Sequence, residues 1–308
     1  MAAPGPRLNI YDAVAANRWR TVALIGVFTA IVSALAYAAG EYFAPGGGVA
    51  LLPVAIGFSG ISSAASYFAG DKLVLAQSQA RPLADGAEPQ LRNIVDTLSI
   101  GLGIQSPTIY VIDDSAPNAF ATGRDPKHAS IAVTRGLLDK LDRTELEGVL
   151  AHEMSHVVNR DIRVMLLVTV LVGTVALISD GMLRTMSFGG GRRRGGRDSG
   201  GGIIIIIAVV LAVLTPIIAT LIQLAVSRQR EYLADASGAL LTRYPPGLAS
   251  ALRKISADPE ALEVANKATA SLYIANPLKD KPHFMDGLFD THPPIAERVK
   301  RLEAMAGP

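Results

Sequence analysis

The stretch His152-Glu153-Met154-Ser155-His156 decides how the rest of this 308-residue chain is read. On a helix, residues four apart lie on one face, one turn apart, so two imidazoles at this spacing can reach a single metal ion. Glu153 is displaced around the helix, where its carboxylate meets a water on the metal rather than the metal itself. Such a site needs a helix beneath the motif, a third protein ligand from elsewhere and an open fourth position.

Composition narrows the setting. Half of the residues are hydrophobic, 18% are charged and the mean hydropathy is +0.33. That is too apolar for an ordinary soluble enzyme and too charged for membrane helices alone, so a membrane anchor joined to a water-facing domain is expected. A net charge of +2 gives no ground for a nucleic-acid partner. Cysteine is absent, which excludes a disulfide scaffold and a thiolate metal site.

Two uncharged runs, 21–40 and 49–70, are each long enough to cross a hydrocarbon core of ~30 Å as a helix. The second is softened by Pro53, Gly57, Gly60 and four serines, small residues that let membrane helices pack closely. A cleaved signal peptide ending at Ala36-Tyr37-Ala38 is the rival reading of the first run, weakened by the second run that follows almost at once. Arg7, Arg18 and Arg20 precede the pair and Lys72 and Arg81 follow it, while the loop 41–48 carries no lysine or arginine. The positive-inside rule then puts the N-terminus, and everything after the second span, in the cytoplasm.

From Asp71 the composition becomes that of a soluble domain. Leu91, Ile94, Val95 and Leu98 predict a helix over 88–100, stopped by Gly101 and Gly103. Residues 108–112 read as a strand ended by Asp113-Asp114 and Pro117. A strand pair is expected over 119–122 and 129–134, joined through Gly123-Arg124-Asp125-Pro126. Of these, 130–134 is the candidate for aligning a substrate by main-chain pairing, with an ordinary sheet strand as the alternative. Asp142 and Glu145 form a capping box that starts the motif helix, and Leu146, Val149, Leu150, Met154 and Val157 supply its apolar positions.

A further hydrophobic pair follows: 164–179, marginal for a span, and 203–226, long enough to cross, around a Gly/Arg/Ser-rich linker at 189–202. If both arms cross, Arg184, Arg192, Arg193, Arg194 and Arg197 lie outside the cell, against the charge rule. Crossing or not, the hairpin returns to its starting side and brings the following residues back to the motif. The third ligand is therefore sought just after 226. Glu231 is the candidate ligand, and Asp235, one turn on, the acceptor for a ligand imidazole N–H. Ligand types and reaction class favour one zinc ion per chain. Zinc would polarise a peptide carbonyl, with Glu153 as general base. Candidate oxyanion donors lie in Thr291-His292-Pro293-Pro294-Ile295-Ala296-Glu297-Arg298, namely His292 and Arg298. Asn118 is a turn former or a substrate contact, and His128 and His283 read as surface residues.

The chain resembles HtpX-type membrane zinc endopeptidases, within the broader family that includes the CAAX prenyl proteases. The resemblance runs the length of the chain and is carried by Pro117-Asn118-Ala119-Phe120-Ala121-Thr122-Gly123, by His152 through Asp161, by Arg230-Glu231-Tyr232-Leu233-Ala234-Asp235, and by Thr291-His292-Pro293-Pro294 with Arg298. It implies zinc on His152, His156 and Glu231, catalysis by Glu153, and quality-control cleavage of membrane proteins under stress. The fold it implies is α+β and mostly helical: a gluzincin-like metallopeptidase domain with a small β-sheet on two to four transmembrane helices. The expected division is an anchor at 1–70 and a peptidase domain at 71–308 interrupted by the hairpin, in a multi-pass protein of the inner membrane. Expected partners are protein substrates and membrane lipid. The lack of a larger membrane chamber argues against prenyl-protein substrates. A zinc-stabilised scaffold without activity, or a tethered peptidase for soluble proteins, are the competing functions.

Overall fold

The structure, a computed structural model, describes residues 10–43, 46–174, 228–265, 269–278 and 293–306. Helix α1 (Ile10–Phe43) and helix α2 (Gly48–Gln77) contain stretches long and apolar enough to cross a membrane, Trp19–Tyr37 and Gly48–Gln77. Helix α1 outruns its hydropathy signal. The polar lead of α1 is rich in alanine, which sustains helix without being strongly apolar. Small residues let α2 pack closely: Ala55, Ser59, Ser63, Ser66 and Gly70 are buried, a Cβ on Gly48 would stand 2.7 Å from the Tyr37 ring of α1, and one on Gly70 would stand 3.2 Å from Leu166. Val49, Val54, Ile56, Ile61 and Phe68 point outward, the arrangement of helices solvated by lipid.

The last turns of α2 continue past Asp71 and insert Val74 and Leu75 among Ile112, Phe120, Ala132 and Tyr273. Four strands follow: β1 (Arg81–Pro82), β2 (Thr108–Ile112), β3 (Ala119–Gly123) and β4 (Ala129–Thr134), in the order β1-β2-β4-β3. The expected pair 119–122 and 129–134 is antiparallel. Strand β4 also pairs with β2 in parallel, so both of its edges are filled and 130–134 has no edge to offer a substrate. The edge strands are β1 and β3, and β3 is the one beside β4. Gly123 closes the turn at φ 135°, where a Cβ would meet His128 O at 2.3 Å.

Helix α3 (Pro89–Leu102) runs on through Gly101 and ends at Gly103, whose φ of 65° suits a left-handed cap. After α4 (Arg135–Lys140) comes α5 (Arg143–Val158), the motif helix. Its capping box is formed: Asp142 accepts from the Glu145 N–H at 2.9 Å and Glu145 accepts from the Asp142 N–H at 2.9 Å. Helix α6 is described over 161–174. Helices α7 (Arg228–Thr242), α8 (Pro245–Ala257) and α9 (Ile295–Met305) complete the described elements. Packing by α3, α7, α8 and β3 on several sides buries α5 continuously from Gly148 to Val157. Two glycines permit this: a Cβ on Gly148 would lie 2.7 Å from Leu248 N of α8, and one on Gly238 of α7 would lie 3.0 Å from His152 N. The linker 189–202, the arm 203–226 and residues 175–179 of the other arm lie outside the described residues.

Candidate active site

His152 and His156 project from adjacent turns of α5, and α7 brings Glu231 against them. The two Nε2 atoms are 3.3 Å apart, with Glu231 Oε2 3.8 Å from His152 Nε2 and Oε1 3.5 Å from His156 Nε2. One donor atom from each residue falls within 4.8 Å of the others, and all three residues are buried, a group able to hold one metal ion. The outer ring nitrogens are held by carboxylates: Asp235 Oδ1 is 2.9 Å from His152 Nδ1, and Asp161 Oδ2 is 3.1 Å from His156 Nδ1. A carboxylate accepting from Nδ1–H leaves the Nε2 lone pair free for a metal.

The electrostatics agree with a cation at this point. Burial, followed by the adjacent Arg298 charge, holds His152 down at about 4 and therefore neutral. Burial also opposes a charge on His156, but the Asp161 hydrogen bond and the Glu231 and Glu153 carboxylates push it up to about 9. The pocket thus retains a positive charge, the place a divalent cation takes when it displaces that proton. Two neutral-capable imidazoles and one carboxylate are the donor set of a hydrolytic zinc site, so the residues present fit the metal.

Glu153 lies beside this group and not in it. Its Oε2 accepts from the Ala121 N–H at 2.9 Å. Burial pushes it up to about 8, with Glu231 adding to the shift against the opposing pull of His156 and the Ala121 N–H. A carboxyl group brought toward neutrality suits proton transfer in both directions.

Arg298 is completely buried. It donates from Nε to Asp235 Oδ2 at 2.9 Å, from Nη2 to Asp235 Oδ1 at 2.7 Å and from Nη1 to Ile274 O at 3.0 Å. The guanidinium therefore grips the carboxylate that holds His152. Asp235 in turn is held down at about 2, against its burial, by Arg298 and His152. Asn118 is also buried; its Nδ2 donates to Ala275 O at 3.2 Å and its Oδ1 accepts from Ala119 N. The outer edge of β3 is occupied at Ala119, whose carbonyl accepts from Ile274 N at 3.0 Å. Ala121, two residues on, presents its N–H on that same side to Glu153. His292 and His283 lie outside the described residues, and His128 is exposed beside Asp125.

Chain spacing did not single out Asp161. On an unbroken helix a residue five after His156 would face away from it. The helix breaks at Asn159 and Arg160, the latter at φ 57°, and Asp161 begins α6 pointing back at the histidine. The left-handed conformation of Arg160 makes this turn, and residue type does not reveal it.

A buried two-histidine, one-carboxylate group with a non-ligand carboxyl alongside, in a chain with two helices apolar enough to cross a membrane, defines a membrane metallopeptidase. The family model for peptidase family M48 matches residues 86–306. The chain belongs to that family. It is similar to a Protease HtpX homolog of Dictyoglomus thermophilum, with 46% identity over 297 residues, 96% of this chain and 95% of that one. A Protease HtpX homolog of Tropheryma whipplei is 44% identical over 96% of this chain and 98% of its own length. Among solved structures, the crystal structure of S. mikatae Ste24p aligns with a TM-score of 0.49 at 21% identity, over 91% of this chain and 62% of that one.

Proposed function

We propose that the protein is a zinc endopeptidase that cuts proteins in or at the membrane, with His152, His156 and Glu231 as the ligands. The observation that carries this is the pairing of both Nδ1 atoms with carboxylates, which turns both Nε2 lone pairs toward one point shared with Glu231. When bound, zinc supplies Lewis-acid polarisation of the substrate carbonyl and a water of lowered pKa. Glu153 takes the proton of the attacking water and passes it to the leaving amine. The outer edge of β3, where Ala121 meets Glu153, is the main-chain surface along which a substrate backbone aligns on this reading. Arg298 and Asp235 keep His152 in its ligand tautomer. Misfolded or damaged membrane proteins, cut under stress, are the substrates on this reading, supported by the likeness to HtpX-type proteases.

Metal analysis of the full-length protein in detergent should give one zinc per chain. Chelation should abolish cleavage of an unfolded model protein, and added zinc should restore it. Purified protein that lacks metal and cleaves equally well with chelator present would sink the reading.

The same reading places the peptidase domain in the cytoplasm, on the charge asymmetry around α1 and α2. Because cysteine is absent, single probes report topology directly. Gly47→Cys, just before the start of α2, should react with an impermeant thiol reagent on intact cells. Asp85→Cys, on the exposed start of the domain, should react only after lysis. The reverse pattern would invert the orientation.

A further inference from the structure

We propose that Asn17, on the first membrane helix, is a positioning residue of the metal site, so that the site is complete only when α1 is seated against the peptidase domain. This rests on His152, His156 and Glu231 being metal ligands.

Asn17 is buried, at 3% exposure, and its side-chain amide is used on every side. Nδ2 donates to Asp161 Oδ1 at 2.8 Å and to Asn159 O at 3.1 Å. Oδ1 accepts from Arg20 Nη1 at 3.1 Å. Two acceptors on the nitrogen and a donor on the oxygen fix the orientation of the amide. Asp161 divides its oxygens: Oδ2 faces His156 Nδ1 at 3.1 Å, while Oδ1 takes the Asn17 amide, with Arg230 Nη1 of α7 farther off at 3.5 Å. The closest grip on the carboxylate that orients His156 therefore comes from α1, across more than 140 residues of chain.

The second bond of Asn17 has its own effect. Asn159 O belongs to the end of α5, where carbonyls lack helical partners, and it lies in the turn that aims Asp161 back at His156. One amide thus caps the break and holds the carboxylate that the break presents. Asn17 stands just ahead of the apolar stretch Trp19–Tyr37. The next turns of α1 pack Leu24, Phe28 and Ile31 against Val164, Val168 and Leu171 of α6. The helix that anchors the protein and the residue that steadies His156 consequently move together. An anchor serving only as a tether has no need of a buried amide at this point, and burying one is costly unless its bonds are made.

The test uses the full-length protein in detergent or nanodiscs, with Asn17→Leu, which keeps the side-chain size and removes both donors, and Asn17→Ser as a milder variant should the first fold poorly. Val22→Ala, at an exposed position of the same helix, is the control. Partners that hold a ligand imidazole typically contribute 10–100-fold to metal affinity, so Asn17→Leu should weaken zinc by about 10-fold in chelator competition. It should also shift the visible bands of the cobalt-substituted protein, over and above any fall in metal-free melting temperature from the acceptors it leaves without a donor, and add nothing on top of Asp161→Asn. The control should match wild type. Wild-type affinity and cobalt bands in both Asn17 variants would overturn the proposal, and the ligand assignment would survive if Glu231→Gln still lost the metal. A fall in metal-free stability with unchanged cobalt bands would likewise overturn it, leaving Asn17 a structural cap. A wild-type protein that binds no stoichiometric metal would remove both this proposal and the reading beneath it.

Discussion

Glu153→Gln retains the zinc of the wild-type protein and loses cleavage of an unfolded protein substrate by at least about 100-fold, within the usual contribution of a positioned general base. The substitution is isosteric, and the amide oxygen can still accept from the Ala121 N–H, so the packing beside β3 is kept. Glu153 is not among the three grouped ligand residues, which is why metal content should not follow activity. What disappears is the only function the amide cannot perform, taking a proton from water and returning it to the leaving amine. Wild-type turnover in this variant would show that another group moves the proton. A wild-type protein that holds zinc tightly and cleaves nothing would instead favour a zinc-stabilised scaffold.

The second large effect is on stability. Arg298→Met should destabilise the protein by about 3–5 kcal/mol, the usual result of removing one partner of a buried ion pair. Arg298 is fully buried and Asp235 nearly so, and the two are joined by two hydrogen bonds in a fork. Without the guanidinium, Asp235 keeps a charge met among the described residues by His152, and Ile274 O loses its donor. Arg298→Lys should recover only part of the loss, because an ammonium cannot reproduce the fork. Thermal unfolding of the metal-free variants, with zinc competition alongside, checks both the stability and the slackened His152. An unchanged melting temperature in Arg298→Met would contradict the pairing described here.

Much of the peptidase domain was legible because it depends on local periodicity. The spacing of His152 and His156 puts two imidazoles on one helix face wherever that helix lies. Asp142 and Glu145 close their capping box within a single turn, and the strand pair 119–122 and 129–134 is joined by a turn written in Gly123 and Pro126. Helix α3 went two residues past its expected stop because Gly101 is tolerated inside a helix and only Gly103 takes the left-handed cap. The order of strands was not legible. Nothing in 130–134 reveals that β2 lies along its second edge, and so the sheet edge beside Glu153 belongs to β3. The oxyanion role expected of Arg298 was inferred from its neighbourhood in the chain. The fold adds partners for it that chain position does not reveal, Asp235 and Ile274.

The sequence by itself determined the chemistry: which residues can bind a metal, which carboxyl group can move a proton, and that the apolar runs 21–40 and 49–70 need a bilayer. Those properties belong to residue types and to spacings within one element. Only the tertiary structure decided what steadies that chemistry. Asp161 reaches His156 because a helix breaks, Arg298 reaches Asp235 from the last helix, and Asn17 reaches Asp161 from the first. Each of these contacts joins elements whose separation along the chain carries no periodic signal, and burial makes each one matter, because a polar group out of water must find its partner wherever the fold puts it.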